Sequence, residues 1–136
     1  MGEILPAIGL VRSYDSDGTA YPALRGVELS IQEGEFVAVM GPSGCGKSTL
    51  LHLVGGIDRP DAGEIRLRGT RVDTLTEGQA AVMRRTDVGY VFQFFNLIGN
   101  LTVADNVELP ALMAGFSASD ARKRRIELLE EVGIAE

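Results

Sequence analysis

The sequence contains a single cysteine, Cys45, among its 136 residues. No disulfide bond can therefore form within the chain, and a reducing compartment suits it. The sequence also lacks any apolar run near the ~20 residues that a transmembrane helix requires. Its first residues lack the basic region and the long apolar core of a signal peptide. These absences predict one soluble domain, or part of one, whose role at a membrane would depend on a partner chain.

Positive charge is scarce as well. The chain has 13 Lys and Arg residues against 19 Asp and Glu residues, which gives a formal net charge of −6. Because a phosphate backbone repels an acidic surface, this balance argues against general binding of nucleic acid. The sequence therefore predicts no nucleic-acid partner.

Glycine and apolar residues, by contrast, are concentrated around one motif. Residues 41–49 read Gly-Pro-Ser-Gly-Cys-Gly-Lys-Ser-Thr and fit the pattern G-x-x-x-x-G-K-[ST]. The apolar run Phe36–Met40 before the motif predicts a buried parallel strand. Apolar residues after it, within 50–54, recur at helical spacing. Strand, glycine-rich loop and helix in this order predict a phosphate-binding P-loop. The alternative is a glycine-rich turn that precedes a helix by chance.

The backbone of this motif is suited to an anion. Gly41, Gly44 and Gly46 allow backbone conformations that are closed to residues with a Cβ atom, and they let phosphate oxygens approach closely. The amides of residues 44–49 are then expected to point into one concavity at the positive end of the helix dipole. The motif therefore predicts a cradle of backbone amides for phosphate groups.

Three side chains at the start of the helix extend this prediction. Lys47 is expected to place its charge between the β- and γ-phosphates. The Ser48 hydroxyl is suited to ligate Mg²⁺, which bridges the same two phosphates. Thr49 comes one residue later, beside the α-phosphate. The motif therefore predicts a ligand that carries β- and γ-phosphates, bound together with Mg²⁺.

Two residues outside the motif have both a functional and a structural interpretation. Tyr14 could stack its ring on an adenine, but aromatic residues are common in strands, and the residues alone favour a strand-end tyrosine. Gln93 follows the β-rich run Val88–Phe92. Its amide could ligate Mg²⁺ through the carbonyl oxygen and hold the attacking water through the NH₂ group. The alternative is a polar residue that only ends a strand.

The remaining pattern predicts a β subdomain followed by helices. Strands are expected at Ile8–Tyr14, Gly26–Gln32 and Glu64–Arg68, and helices at Thr76–Arg85, Thr102–Ala114 and Ser117–Val132. Thr102 and Asp105 predict a capping box.

The residues Phe94–Leu101 form an apolar loop. Because loops are usually polar, we expect this one to meet another surface; the alternative is a loop folded onto the chain's own core.

Together these residues resemble the first part of the ATP-binding subunits of ABC transporters. The sequence looks closest to the branch that drives lipoprotein release and macrolide export, which also has relatives acting in cell division. The resemblance runs through nearly all 136 residues. It is carried by Tyr14, Ala23–Val27, Gly34–Glu35, Gly41–Leu51, Asp58–Pro60, Gly63–Glu64, Val91–Gln93, Phe95–Leu97, Asn106–Val107 and Leu109–Pro110.

The resemblance implies an α/β fold, a P-loop NTPase parallel core with an antiparallel β subdomain. Residues 1–136 would be the N-terminal portion of a nucleotide-binding domain, comprising the β subdomain, the P-loop core and the start of the helical subdomain. Tyr14 matches the adenine-stacking aromatic residue of the family. The resemblance therefore favours the stacking role for Tyr14 over a purely structural one. Gly41 to Thr49, with Ser43 and Cys45 among them, match the nucleotide-binding Walker A loop.

The resemblance also implies catalytic residues and partners. Gln93 matches the Q-loop glutamine, which senses the γ-phosphate and the metal, and Lys47 is the other implied catalytic residue. The segment after Gln93 matches the surface that meets a transmembrane permease subunit. A second copy of the nucleotide-binding subunit is the other implied partner. The implied location is cytoplasmic, at the inner face of the plasma membrane through a partner.

The implied function is to couple ATP binding and hydrolysis to transport or extraction by a membrane partner. The family continues into a signature Leu-Ser-Gly-Gly-Gln, a Walker B strand that ends in Asp-Glu, and a switch histidine, whereas this sequence reaches Glu136 before all three. The expectation is therefore a chain truncated before these motifs that binds Mg-ATP but lacks the catalytic glutamate. The alternatives are a non-catalytic nucleotide-binding interaction module and a different P-loop NTPase, such as a kinase.

Overall fold

The computed structural model describes residues 2–134. Its contacts divide the chain into two compact units, with the boundary between Arg84 and Arg85. The first unit holds β1 (Glu3–Ser16), β2 (Thr19–Gln32), α1 (Lys47–Val54), β3 (Ala62–Leu67), β4 (Thr70–Arg71) and most of α2 (Glu77–Thr86). The second unit holds α3 (Val103–Met113) and α4 (Ala118–Glu131).

The first unit is built on an antiparallel sheet. Within residues 2–134 its strands lie in the order β2-β1-β3-β4, and every pair is antiparallel. The predicted strands Ile8–Tyr14 and Gly26–Gln32 are confirmed as parts of the longer β1 and β2, and Glu64–Arg68 overlaps β3. The three predicted helices that follow are confirmed to within two residues at each end.

A tight turn sets the register of the first two strands. Ser16 pairs with Thr19, so Asp17 and Gly18 form the turn between them. Both turn residues have positive φ, 53° and 77°. Such two-residue turns match the natural twist of paired strands. The hairpin is therefore determined locally, by two residues that tolerate this conformation.

The interior of the first unit is apolar. Its buried side chains come from the sheet, α1, α2 and the turn after β4: Ala7, Leu10, Leu24, Leu50, Leu53, Ile65, Val72, Ala80 and Met83. α1 packs against β1 and β2. Residues three positions apart lie on the same face of a helix. In α1, Leu50 and Leu53 are accordingly buried, while Leu51 is exposed.

Two strands predicted from apolar runs do not form. Phe36–Met40 and Val88–Phe92 have no strand structure. Phe36 and Val91 are 96% and 97% exposed. A parallel strand needs neighbours that accept its backbone hydrogen bonds and elements that cover both of its faces. Among residues 2–134 no strand pairs with either segment, so the prediction of strands there is wrong for this structure.

The second unit contains a helical pair. The predicted capping box of α3 is confirmed: the Thr102 hydroxyl accepts the Asp105 amide at 3.1 Å, and the Asp105 carboxylate accepts the Thr102 amide at 3.2 Å. Arg125 of α4 donates to Glu108 of α3 at 2.6 Å, and both side chains are half-buried. This ion pair joins the two helices. None of the helices in residues 2–134 has the length and hydrophobicity to cross a lipid bilayer.

Candidate functional site

The glycine motif forms a loop that ends at the first residue of α1. Gly46 is the N-cap of α1, with φ 93°. A Cβ atom at Gly46 would lie 2.6 Å from the Ala23 carbonyl oxygen and 3.0 Å from a methyl carbon of Leu24. The loop therefore rests directly on β2, and only glycine permits this approach.

The first half of the motif is folded back on itself. The Cys45 amide donates to the Pro42 carbonyl at 3.4 Å. A Cβ atom at Gly41, whose φ is 155°, would lie 2.7 Å from the sulfur of Cys45. The exposed thiol therefore lies against the glycine that opens the motif.

The Lys47 side chain crosses the same loop. Its ammonium nitrogen donates to the carbonyl oxygens of Gly41 at 2.9 Å and Pro42 at 2.7 Å, and it lies 3.7 Å from the sulfur of Cys45. An ammonium group carries three N–H donors. The loop thus holds a positive charge on its own carbonyl groups, close to the start of α1.

The first turn of α1 is open to an anion. Gly46 has no side chain to cap the helix, and the first turn contains no acidic residue. The Leu50 amide bonds to the Gly46 carbonyl at 2.9 Å, which is the first bond of the helix. The amides before it have no partner inside the helix. Together with the helix dipole and Lys47, they favour negatively charged groups at this end.

The hydroxyl groups of the motif are accessible. Ser43 and Ser48 are exposed, and Thr49 is half-buried. Within residues 2–134 no group of three or more acidic, histidine or cysteine side chains is arranged to hold a metal ion. A metal ion here would need oxygen ligands from a bound phosphate as well as the Ser48 hydroxyl. The donor set fits Mg²⁺ that arrives with a nucleotide.

Tyr14 lies on β1 and is held by charged neighbours. Its hydroxyl donates to Asp58 at 3.1 Å, and the Arg12 guanidinium carbon lies 4.9 Å from the centre of its ring. Arg12 also pairs with Asp61 at 2.8 Å. The Ser13 amide and Arg12 lower the pKa of the Asp61 carboxyl. Tyr14 therefore lies at the edge of a network of ion pairs, with its side chain exposed.

Asp58 was missed as a functional candidate by the sequence reasoning. Asp58 lies in one of the stretches that carry the family resemblance, but that resemblance gave it no role, and an acidic residue is common in a loop. Its contact with Tyr14 joins residues that are 44 positions apart in the chain. No local pattern could have indicated that contact.

Gln93 belongs to the second unit and is exposed. It lies at a bend and does not follow a strand, so the prediction that it ends a core strand is wrong for this structure. The apolar residues after it are open to solvent, with Phe94, Phe95 and Leu97 exposed by 74%, 93% and 68%. Within residues 2–134 the loop therefore does not fold onto the core, contrary to the alternative interpretation.

Asn106 anchors the end of this apolar loop, and the sequence reasoning gave it no role. Its side chain accepts the Ile98 amide at 2.8 Å and donates to the carbonyl groups of Ile98, Leu101 and Thr102 at 3.2, 3.3 and 2.9 Å. An asparagine in the first turn of a helix after a loop is the signal that could have indicated such bonding.

Comparison with known proteins identifies the family. The family of ABC transporters matches residues 24–136. The chain is 42% identical to the lipoprotein-releasing system ATP-binding protein LolD of Maricaulis maris, over 98% of this chain and 58% of that protein. It is 43% identical to the macrolide export ATP-binding/permease protein MacB of Chlorobium phaeobacteroides, over all of this chain and 20% of that protein. The chain thus spans less than two thirds of these relatives.

A solved structure supports the fold. The structure of a dimeric ATP-binding cassette in a post-hydrolysis state, bound to ADP and Pi, matches with a TM-score of 0.88 and 38% identity. The match covers 93% of this chain and 56% of that one. The predicted α/β cassette fold and the predicted resemblance are thereby confirmed. The chain belongs to the ABC transporter family.

Proposed function

We propose that this chain is the nucleotide-binding portion of an ABC ATP-binding subunit and that it binds Mg-ATP through Gly41 to Thr49. One observation carries the proposal: the ammonium group of Lys47 is held within the loop that opens α1, whose first amides have no capping side chain. A positive charge on the loop and amides without a capping side chain at the start of the helix together suit a polyphosphate better than any neutral ligand. Residues 1–136 then correspond to the β subdomain, the P-loop core and the start of the helical subdomain.

Each residue of the motif has a separate task in this proposal. The backbone amides of residues 44–49 hold the phosphate oxygens, so Cys45 contributes its amide and not its thiol. Lys47 neutralises charge on the terminal phosphates. Ser48 ligates the Mg²⁺ that the nucleotide brings. Ser43 lines the loop, and Thr49 lies next to the α-phosphate.

Two further residues are assigned roles in this proposal. Tyr14 stacks on the adenine in this proposal, which its exposed ring supports. Gln93 takes the role of the family's Q-loop glutamine, responding to the γ-phosphate and the metal. The support for Gln93 is its sequence context, Phe92-Gln93-Phe94-Phe95-Asn96-Leu97, and the chemistry of a neutral amide. Lys47 and Gln93 are the proposed catalytic residues.

The proposed partners are a transmembrane permease subunit and a second copy of the nucleotide-binding subunit. The relative MacB joins an ATP-binding part to a permease by name, and the cassette of similar structure is dimeric. The apolar loop Phe94–Leu101, in which Phe94, Phe95 and Leu97 are exposed, offers a surface of the kind that partners bury. The protein would then act at the cytoplasmic face of the membrane and couple ATP binding and hydrolysis to transport or extraction.

The test is the affinity for Mg-ATP, measured by calorimetry. Lys47→Ala should weaken binding about 10- to 100-fold, because it removes one charge-assisted contact to phosphate. Lys123→Ala, which removes an exposed lysine from α4, is the matched control and should leave the affinity unchanged. The proposal fails if the unaltered protein does not bind Mg-ATP, or if both variants lose affinity equally.

A further inference from the structure

We propose that Asp58 is a positioning residue that orients Tyr14 toward a purine base, and that Arg12 restricts the base to one face of the ring. The inference rests on the proposed function, because it presupposes that the chain binds ATP. It adds a base-positioning role for two residues outside the glycine motif. The contacts that carry it all lie within the first unit.

Asp58 uses both of its carboxylate oxygens. One oxygen accepts the Tyr14 hydroxyl at 3.1 Å and the Nε–H of Arg12 at 3.0 Å. The other accepts a terminal N–H of Arg12 at 3.0 Å. The Tyr14 side chain is therefore held at both ends, by its backbone in β1 and by its hydroxyl at Asp58. A ring fixed in this way loses much of its freedom to rotate before a ligand arrives, which favours binding.

Arg12 occupies one side of the ring. Its guanidinium carbon lies 4.9 Å from the ring centre, within the range of a cation–π contact. The same guanidinium is fixed by two-point pairing with Asp58 and by Asp61. An arginine held by three hydrogen bonds does not readily leave the ring. A planar base that stacks on Tyr14 would therefore use the opposite face of the ring.

The loop that carries Asp58 is attached to the helix of the glycine motif. The amides of Ile57 and Asp58 both donate to the His52 carbonyl of α1, at 2.8 and 3.2 Å. The Asp61 amide donates to the Val11 carbonyl of β1 at 2.8 Å. Asp58 is thus tied both to the helix whose start binds phosphate in the proposal and to the strand that carries the aromatic ring. This connection suits a residue that sets the position of a base relative to its phosphates.

Asp61 provides a matched comparison within the same network. It pairs with Arg12 at 2.8 Å, and it accepts the Ser13 amide at 2.7 Å. Its contacts are therefore with the arginine and the backbone, whereas Asp58 contacts the Tyr14 hydroxyl. Substitution of Asp61 removes a negative charge from the cluster and leaves the bond between Asp58 and Tyr14 in place.

The experiment compares two ligands, Mg-ATP and Mg-tripolyphosphate, which share the phosphates and differ in the base. Calorimetry on the whole chain should show that Asp58→Ala weakens ATP binding about three- to tenfold. Binding of tripolyphosphate should stay unchanged. Tyr14→Phe should weaken ATP to a similar degree, and Asp58→Ala should add nothing in the Tyr14→Phe background. Asp61→Asn, which loosens only one contact of Arg12, should weaken ATP binding less than Asp58→Ala does and leave tripolyphosphate binding unchanged.

The outcomes separate this inference from the proposed function. If the unaltered protein binds neither ligand, the proposed function fails and this inference fails with it. If the unaltered protein binds both ligands but Asp58→Ala leaves the ratio of its affinities for Mg-ATP and Mg-tripolyphosphate unchanged, only the positioning role of Asp58 is overturned. An equal loss with Asp61→Asn would also overturn it, because the effect would then come from charge. Should Asp58→Ala not fold, Tyr14→Phe decides: an unchanged ratio with that variant contradicts the inference.

Discussion

The carbonyl oxygen of Ala23 occupies the place that a side chain at Gly46 would need. A Cβ atom at Gly46 would lie 2.6 Å from that oxygen, and the glycine has φ 93°. Strand β2 and the start of α1 are thus in direct backbone contact. The position of the glycine motif depends on this contact as much as on the motif itself.

Gly46→Ala should therefore destabilise the protein and displace the loop. We expect the free energy of unfolding to fall by about 1–3 kcal/mol, since the change combines a left-handed backbone with a clash against backbone. Mg-ATP binding should weaken as well. Gly78→Ala is the control, because Gly78 lies in α2 with open space around it, and it should raise stability by up to about 1 kcal/mol. The free energies of unfolding of the two variants are measured by urea titration, with circular dichroism as the signal. Equal stability of the two variants would contradict the prediction.

Cys45 should report on occupation of the loop. Its thiol is exposed and lies 3.7 Å from the ammonium group of Lys47. A maleimide reagent should modify it, and Mg-ATP should slow that reaction because the nucleotide covers the loop. The measurement is the labelling rate by mass spectrometry with and without Mg-ATP. Cys45→Ser should retain nucleotide binding, because the proposal uses only the backbone amide. Equal labelling rates in a sample that binds ATP would count against the placement.

Asp73 should make stability depend on pH. Burial raises the pKa of its carboxyl, but the hydrogen bonds from Arg71 and from the Ile65 amide outweigh burial, so the pKa is lowered from its ordinary 3.8. A carboxyl with a lowered pKa in the folded state stabilises the protein above the unfolded-state pKa. That stabilisation is lost as the pH falls below 3.8 and through the folded-state pKa.

The measurement for Asp73 is the urea concentration at the midpoint of unfolding, followed from about pH 7 to about pH 2. This range includes the ordinary pKa of an aspartate carboxyl. Asp73→Asn should lower the urea midpoint at pH 7. In this variant the midpoint should also fall less steeply as the pH drops below the ordinary aspartate pKa. Asp17→Asn, in the exposed turn between β1 and β2, is the control and should leave the profile unchanged. If the midpoint of Asp73→Asn fell with pH as much as that of the unaltered protein, groups other than Asp73 would cause the pH dependence.

Phe95 should matter for a membrane partner and not for folding. Its side chain is 93% exposed, so Phe95→Ser removes little packing within the described chain. Burying one large apolar side chain against a partner contributes ~1.5–3 kcal/mol. In the full-length subunit, co-purification of the transmembrane subunit should therefore fall while ATP affinity stays nearly intact. Gln93→Ala in the same full-length subunit is the contrasting variant, expected to reduce coupled hydrolysis and spare assembly. Wild-type co-purification of a folded Phe95→Ser variant would exclude this loop as the docking surface.

Asn106 should stabilise the end of the apolar loop. Asn106→Ala removes the acceptor of the Ile98 amide and the donor to three carbonyl groups. We expect a loss of about 1–3 kcal/mol in the free energy of unfolding, because exposed loop groups regain only part of these bonds from water. Hydrogen exchange should show faster exchange at Ile98. Unchanged exchange there would mean that the side chain does not hold the loop.

The sequence by itself determined the features that depend on neighbouring residues. Thr102 and Asp105 are three positions apart, and their reciprocal bonds form because a helix start brings them together. The turn at Asp17 and Gly18 likewise follows from residues that tolerate positive φ. The glycine motif identified the loop before α1 for the same reason, since its residue types and spacing are local.

Only the tertiary structure decided the features that join distant parts of the chain. An apolar run such as Phe36–Met40 becomes a strand only when other strands supply hydrogen-bond partners, and among residues 2–134 none does so. Asp58 reaches Tyr14 because the loop after α1 returns to β1. Local sequence encodes backbone preference and hydrophobic period, whereas side-chain contacts between distant residues depend on how the chain folds back on itself.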